Sequence, residues 1–106
     1  MAWIALTIAG LFEVVWAYTM KLSEGFSKPL MTVVTLVAML ISFGLLSWAM
    51  RSLPLGTAYT VWTGIGAVGA FVVGIVVLGE AANPMRIGAA LLIVSGLVLM
   101  KLSSPT

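Results

Sequence analysis

The sequence contains no cysteine and no histidine, and only 8% of its 106 residues are charged. Without cysteine there are no disulfides, thiol nucleophiles or thiolate metal ligands. Aspartate is absent as well, so three glutamates are the only side chains that an environment could bring to titrate near neutral pH. The usual hydrolase and metal centres cannot be built from this set. We therefore expect no enzyme activity, no metal and no cofactor.

Basic residues are also too few for a nucleic-acid-binding protein. Five lysines and arginines give a formal net charge of +2 and are spread along the whole chain. Hydrophobic residues, in contrast, make up 62% of the sequence. Soluble domains carry about a quarter charged residues, because they must cover their surface with polar groups. The composition therefore indicates an integral membrane protein in a lipid bilayer.

Four long apolar stretches are separated by short polar connectors. A bilayer core about 30 Å thick needs roughly 20 helical residues. The stretches predict helices at about residues 3–20, 30–50, 57–78 and 84–102, within one domain of residues 1–106. Continuous apolar runs without a two-residue alternation favour helices over barrel strands. The sequence thus predicts an all-α fold with four transmembrane helices.

Charge leaves the orientation of the helices open. One side of the membrane would carry Arg51 and Lys101, and the other Lys21, Lys28 and Arg86. The positive-inside rule needs a clear excess of basic residues on one side, and three against two is a weak bias. Both a single orientation and insertion of copies in both directions remain open from these counts.

Glu13 is the acidic residue that falls within a predicted helix, near the middle of the first one. An ionisable group at that depth is costly and is a functional hypothesis by default. Such a carboxyl group can hold a proton when no cation is bound and release the proton to bind a cation. This is the chemistry of proton-coupled exchange. The alternative is an acid that joins helices by hydrogen bonding.

Three residues are expected to surround this acid. Helical spacing places Gly10 and Trp16 on the face of Glu13, so that Gly10 leaves room and Trp16 offers an aromatic face for a cation. Ser42, in the middle of the second helix, has a hydroxyl that can orient the carboxylate. For Ser42 the alternative is a bond to the carbonyl one turn earlier in its own helix. For Trp16 the alternative is packing against lipid.

The third helix carries a second group of site candidates. Tyr59 and Trp62 are three residues apart and share a helix face. Gly64 and Gly66 follow at once, and two nearly adjacent glycines favour a kink that would act as a hinge. The alternative is close packing of small residues against a neighbouring helix.

The fourth helix has no acidic residue and many small ones. These small residues suit close contact between helices. We expect them to form a dimerisation surface, represented by Gly88, Ala89, Ser95 and Gly96.

Taken in order, these motifs resemble the small multidrug resistance family, and within it the guanidinium exporter subtype. The resemblance covers the whole chain and is carried by GLFEVVWA at residues 10–17, Ser42, LPLGTAYTVWTGIG at residues 53–66, and GE and NPMR at residues 79–80 and 83–86. Trp16 favours the guanidinium subtype over broad drug exporters, which usually have a small residue there. Two departures are visible, Tyr18 and Thr60, where smaller residues are usual.

The resemblance implies an antiparallel, dual-topology homodimer in the bacterial inner membrane. It implies export of guanidinium ion and small guanidinyl compounds, with protons and substrate competing for the two copies of Glu13. Ser42 would be the hydrogen-bond partner of Glu13, while Trp16, Tyr59 and Trp62 would line the site and Gly10 would leave space. Other possibilities are a broad-specificity exporter of quaternary ammonium or aromatic cations, a passive cation channel and a purely structural subunit.

Overall fold

The computed structural model describes residues 1–103, which form four α-helices and no β-strand. Helix α1 spans Ala2–Leu22, α2 spans Pro29–Ala49, α3 spans Leu55–Val76 and α4 spans Pro84–Ser103. Each helix is long and apolar enough to cross a membrane. The prediction of an all-α membrane protein with four transmembrane helices is confirmed.

Local sequence explains where the helices begin and end. Helix α3 lies two residues towards the N-terminus of the predicted range 57–78. It begins directly after Pro54, whose ψ of 150° is extended, and it ends before Gly79, whose φ of 72° suits a residue without a Cβ atom. Helix α4 begins with Pro84, and the side chain of Asn83 accepts a 2.9 Å bond from the amide of Arg86. Asn83 is therefore the N-cap of α4, and Pro84 takes the first helical position, where proline is favoured.

Three helices form a layer and the fourth lies beside it. Helix α1 packs between α2 and α3, which scarcely touch each other. Helix α4 packs mainly against α3, and its Lys101 also contacts the Trp3 ring of α1. The Cα atoms span 43 × 34 × 16 Å, so the molecule is flat. None of the residues of α4 is buried.

One half of the α1–α3 layer is closed by an apolar core. This closed half contains the first turns of α1, the last turns of α2 and the first turns of α3. Its buried residues are small or branched, apart from one tryptophan: Ala5, Leu6, Ala9, Leu46, Ala49, Leu53, Ala58, Val61 and Trp62. Small side chains let the helix axes approach closely, which is the main source of helix association in lipid.

The other half of the layer, beside the α1–α2 connection, has a different interior, and we call it the open half. Its described part has one buried hydrophobic residue, Ala38. Its other buried side chains carry hydroxyl groups and belong to Thr19, Ser23 and Thr35. The hydroxyl oxygens of Thr19 and Thr35 lie 2.7 Å apart and join α1 to α2. A cavity of about 340 Å³, the α1/α3 cleft, opens between α1 and α3.

Candidate functional site

Glu13 lies near the middle of α1, between the closed and the open half of the layer. Gly66 of α3 faces it, and a Cβ atom on Gly66 would collide with the Glu13 carboxyl group. Helices α1 and α3 therefore approach each other at the acid because residue 66 has no side chain. From sequence, Gly66 is expected as part of a hinge, and its contact with the acid is an additional role.

Helix α3 runs without a break through both glycines of the predicted hinge. Gly64 faces α4, where a Cβ atom would come within 2.5 Å of the Leu97 side chain. Gly64 thus permits the contact with α4, while Gly66 permits the contact with α1. The close-packing alternative describes both residues, and a hinge at this point stays a prediction.

Two buried polar atoms one turn apart on α1 have no hydrogen-bond partner within residues 1–103. They are Oε1 of Glu13, which can only accept when ionised, and Nε1 of Trp16, which can only donate. Buried polar atoms are usually satisfied, and each exception calls for an explanation. An acceptor and a donor left open at the same place indicate a site that is completed by a molecule from outside this chain.

Ser42 is fully buried and joins three helices at one point. Its hydroxyl donates to the carbonyl oxygen of Ala9 at 2.7 Å and accepts from Nε1 of Trp62 at 2.9 Å. The predicted hydrogen bond to Glu13 is therefore not made within residues 1–103, and neither is the alternative bond within α2. A hydroxyl group can donate only one hydrogen bond, and here it donates that bond to the Ala9 carbonyl oxygen. Because Ala9 precedes Glu13 by one helical turn, Ser42 contacts the backbone that carries the acid rather than the acid itself.

Aromatic rings form a continuous row that ends at Trp16, one helical turn from Glu13. Tyr59 packs on Trp62 with ring centroids 5.6 Å apart, as predicted from their spacing. Phe43 then contacts Trp62 at 5.7 Å and Trp16 at 6.2 Å, both edge to face. Phe43 is a member of the row that the sequence reasoning missed. In the sequence, the only feature that could have pointed to Phe43 is its position next to Ser42. Consecutive residues of a helix point about 100° apart, so this position does not predict that Phe43 faces the site.

Gly10 has a different neighbour from the one expected. A Cβ atom at Gly10 would lie 2.7 Å from Cβ of Ile65, so the residue permits close packing of α1 on α3. Space beside the carboxyl group is supplied by Gly66 instead. Spacing along α1 places Gly10 on the face of Glu13, but only the position of α3 decides which glycine adjoins the acid.

The four predicted dimerisation residues lie on a helix without a buried residue. A Cβ atom on Gly88 or Gly96 would meet nothing within 4 Å. Ala89 is exposed, and Ser95 donates to the carbonyl of Leu91 in its own helix at 2.8 Å. This surface is free within one protomer, and its use in a dimer stays a prediction.

The two departures from the family pattern lie outside the row of rings. Tyr18 lines the α1/α3 cleft, together with Ala17 and Lys21. Thr60 lines a separate groove of about 500 Å³ between α3 and α4, which also contains Tyr59. Thr60 is thus the departure that adjoins a predicted site residue.

The assembled groups suit the binding of a small cation. A carboxylate without a donor of its own attracts a ligand that brings N–H groups, and aromatic faces stabilise a cation that has lost its water. No group of three or more potential metal-ligating side chains occurs in the described part of the chain.

The chain is similar to known proteins over most of its length. The family model for the Small Multidrug Resistance protein matches residues 1–94. A protein of Escherichia coli strain K12 named guanidinium exporter is 60% identical over 104 residues, covering 98% of this chain and 99% of its own length. Proteins with the same name from Citrobacter freundii and Salmonella typhimurium are 55% identical over the same shares.

These relatives are exporters, and their similarity extends over nearly the full length of both chains. Four helices of membrane-spanning length fit a multi-pass protein of the bacterial inner membrane. The family match, the relatives and the four helices together establish that the chain belongs to the small multidrug resistance family.

Proposed function

We propose that this chain exports guanidinium ion and small guanidinyl compounds across the membrane in exchange for protons. The names of the relatives support the substrate. One observation supports the position of the site above all others. Oε1 of Glu13 is buried without a hydrogen-bond partner in residues 1–103 and lies one helical turn from Trp16. The chemistry of guanidinium suits both groups.

Guanidinium is planar, weakly hydrated and charged at any physiological pH. Its parallel N–H donors match the two oxygens of a carboxylate, and its flat faces stack on aromatic rings. Glu13 would supply the counter-charge, and the row from Trp16 through Phe43 and Trp62 to Tyr59 would supply the aromatic wall. Potassium or ammonium ions lack this planar set of donors.

Exchange with protons follows from the use of one acid for both ligands. A protonated Glu13 has no charge to hold the cation, and a carboxylate that binds the cation has released its proton. Outward movement of substrate is then coupled to inward movement of protons. Because protons compete with substrate, the apparent affinity for guanidinium should rise as pH increases.

A second copy of the chain would complete the site. Nε1 of Trp16 is a donor, so a cation cannot satisfy it, whereas an acceptor from another protomer can. Helix α4 has no buried residue, which leaves its small residues free to pack against another α4. The nearly even distribution of basic residues supports an antiparallel homodimer with two copies of Glu13.

Ser42 and Trp62 would keep the backbone near Glu13 in place. The carbonyl of Ala9 accepts the Ser42 hydroxyl and, as part of α1, also accepts the amide of Glu13 four residues later. Ser42 is thereby a positioning residue in this protomer. Its predicted direct bond to the carboxylate would require its proton to leave Ala9.

The test is transport by the purified full-length protein in liposomes. A pH gradient should drive guanidinium uptake, and the reversal potential should depend on the pH difference. Glu13→Gln should abolish this coupling. Glu24 is an exposed glutamate in the α1–α2 connection, and Glu24→Gln should keep the coupling. Gradient-driven transport by Glu13→Gln would overturn the proposal, and a reversal potential independent of pH would identify a channel.

A further inference from the structure

The α1/α3 cleft leads from the connecting loops to the neighbourhood of Glu13. Its inner wall contains Ala17, four residues after Glu13, and Ala70, four residues after Gly66. Its mouth contains Glu80 and Arg86. Four residues of an α-helix correspond to about 6 Å along its axis. The inner end of the cleft is therefore one helical turn from the acid.

Arg86 places its own guanidinium group at the mouth of this cleft. Nη2 lies 3.9 Å from Oε1 of Glu80, and the guanidinium carbon lies 5.1 Å from the centre of the Phe71 ring. Nη1 donates to the carbonyl oxygen of Ala81. A carboxylate, an aromatic face and a carbonyl are together a recognition site for guanidinium. We call these three groups the Glu80 cage.

The position of Arg86 is not favoured by its own helix. Arg86 lies in the first turn of α4, where the helix dipole disfavours a positive charge. Its backbone amide bonds to Asn83 independently of what its side chain does. The contacts with the cage, and not the electrostatics of α4, therefore account for the place of the guanidinium group.

The acid of the cage is held by the end of α3. The amide of Glu80 donates to the carbonyl of Gly74 at 2.9 Å. A Cβ atom on Gly74 would collide with the Glu80 carboxylate, so this glycine provides the surface on which the carboxylate lies. The groups of the cage thus belong to α3 and the connection that follows it, and Glu80 has a contact with Gly74 that does not involve Arg86.

We propose that the Glu80 cage is a transit site for guanidinium ions on their way between the loops and Glu13, and that Arg86 occupies it until a free guanidinium ion takes its place. This inference rests on the proposed function for the identity of the substrate. Arg86 acts as a tethered copy of the substrate's charged group and occupies the cage at the mouth of the cleft when the cage holds no ion from solution.

Charge and exposure both support an exchange of this kind. The cleft is lined by two basic side chains, Lys21 and Arg86, and by one acid, Glu80. Replacing one guanidinium by another leaves the charge at the cage unchanged, whereas adding a cation beside Arg86 would raise it. The side chains of Arg86 and Glu80 are 39% and 44% exposed, so their ion pair is weak and readily broken.

Binding to the cage is tested without the central site. In full-length Glu13→Gln protein, guanidinium chloride should shift the NMR signal of the Arg86 side-chain Nε, whereas potassium chloride at equal ionic strength should not. Arg51, the other arginine of the chain, provides an internal control. The shift should be lost in Glu13→Gln/Glu80→Gln. An Arg86 signal that responds equally to both salts, or to neither, would overturn the proposal.

Transport gives a second and independent measurement. Glu80→Gln should raise the KM for guanidinium about two- to fivefold with little change in kcat, the range expected for an exposed ion pair. Arg86→Ala should lower the KM for guanidinium. The KM of Arg86→Lys should lie between those of Arg86→Ala and the unchanged protein. An unchanged KM in all three variants would contradict a transit site.

The two proposals fail separately. If the protein did not transport guanidinium, the NMR titration of Glu13→Gln would still decide whether the cage binds it. If the cage did not bind guanidinium, exchange at Glu13 would be unaffected.

Discussion

The closed and open halves of the α1–α3 layer are built from different interactions, although the same three helices form both. Nine buried apolar residues fill the closed half. In the open half the buried side chains are mainly hydroxyls, and α1 and α3 are separated by a cleft with charged residues at its mouth. Glu13 lies where the two halves meet.

For the proposed exchange, this difference would let one copy of the chain admit an ion from one side only. Packing of small apolar residues excludes water and makes the closed half rigid. Hydroxyl pairs hold two helices together over a small area and leave space beside them. Under the proposed function, an ion would reach Glu13 through the open half, and exchange would need the reverse arrangement at another stage of the cycle.

The largest expected effect comes from a change at the boundary between the halves. Gly66→Ala places a methyl group where the Glu13 carboxyl group lies, so α1 and α3 must separate at the acid. We expect loss of coupled transport and a free energy of unfolding lower by about 1–3 kcal/mol, the usual effect of overpacking.

Gly44→Ala is the matched control for this change. Gly44 also lies within a helix, but a Cβ atom there would meet nothing within 4 Å. Detergent-based unfolding and liposome transport should both be close to those of the unchanged protein. Equal losses in both variants would mean that the contact with Glu13 is not the cause.

A change at Ser42, which bonds to Ala9 and Trp62 of the closed half, should be the next largest. Ser42→Ala removes two hydrogen bonds and leaves the buried Nε1 of Trp62 without its acceptor. We expect a loss of about 1–2 kcal/mol in the free energy of unfolding, because hydrogen bonds between membrane helices average about 0.6 kcal/mol each. The same variant should bind guanidinium more weakly and shift the pH at which protons compete with it. Ser47→Ala, at an exposed position of the same helix, should change neither quantity.

The corresponding change in the open half should be smaller. Thr35→Val removes one member of the Thr19–Thr35 pair, but the hydroxyl of Thr19 can then donate to the carbonyl of Trp16, which lies 3.3 Å away. We expect the free energy of unfolding to fall by about 0.6 kcal/mol, because one interhelical hydrogen bond is lost. If Thr35→Val were as damaging as Ser42→Ala, the two halves would be equally rigid and the comparison would be wrong.

The smallest effect is expected outside the layer, in the α1–α2 connection. Glu24 forms an exposed 2.8 Å ion pair with Lys28, whose hydrogen bond lowers the pKa of Glu24 below its usual value of 4.5. A lowered pKa in the folded state stabilises the protein above the unfolded pKa, and this contribution disappears as pH falls through the folded pKa. The small difference in stability between Glu24→Gln and the unchanged protein should therefore vanish in acid. A difference that grew as pH fell would contradict this account.

Much of the fold could be predicted because its signals are local. Apolar stretches of sufficient length predict the four helices, and Asn83 before Pro84 predicts the start of α4. Glu13 stands out because a charge within an apolar stretch needs a reason. The pair of Tyr59 and Trp62 follows from a spacing of three residues in one helix.

Contacts between helices could not be predicted in the same way. Spacing along α1 suggested Gly10 as the space beside the acid, but α3 brings Gly66 there and places Ile65 against Gly10. Ser42 was expected to bond to Glu13, yet its proton goes to Ala9. Phe43 joins the aromatic row through contacts with two other helices.

The sequence by itself therefore determined the membrane class, the number of helices and the acid around which a site can form, because each depends on the composition or spacing of a single segment. Tertiary structure decided which atoms meet: the glycine at the acid, the partners of Ser42 and the guanidinium group of Arg86 in the Glu80 cage. These contacts depend on the rotation and separation of neighbouring helices, which no spacing within one helix specifies.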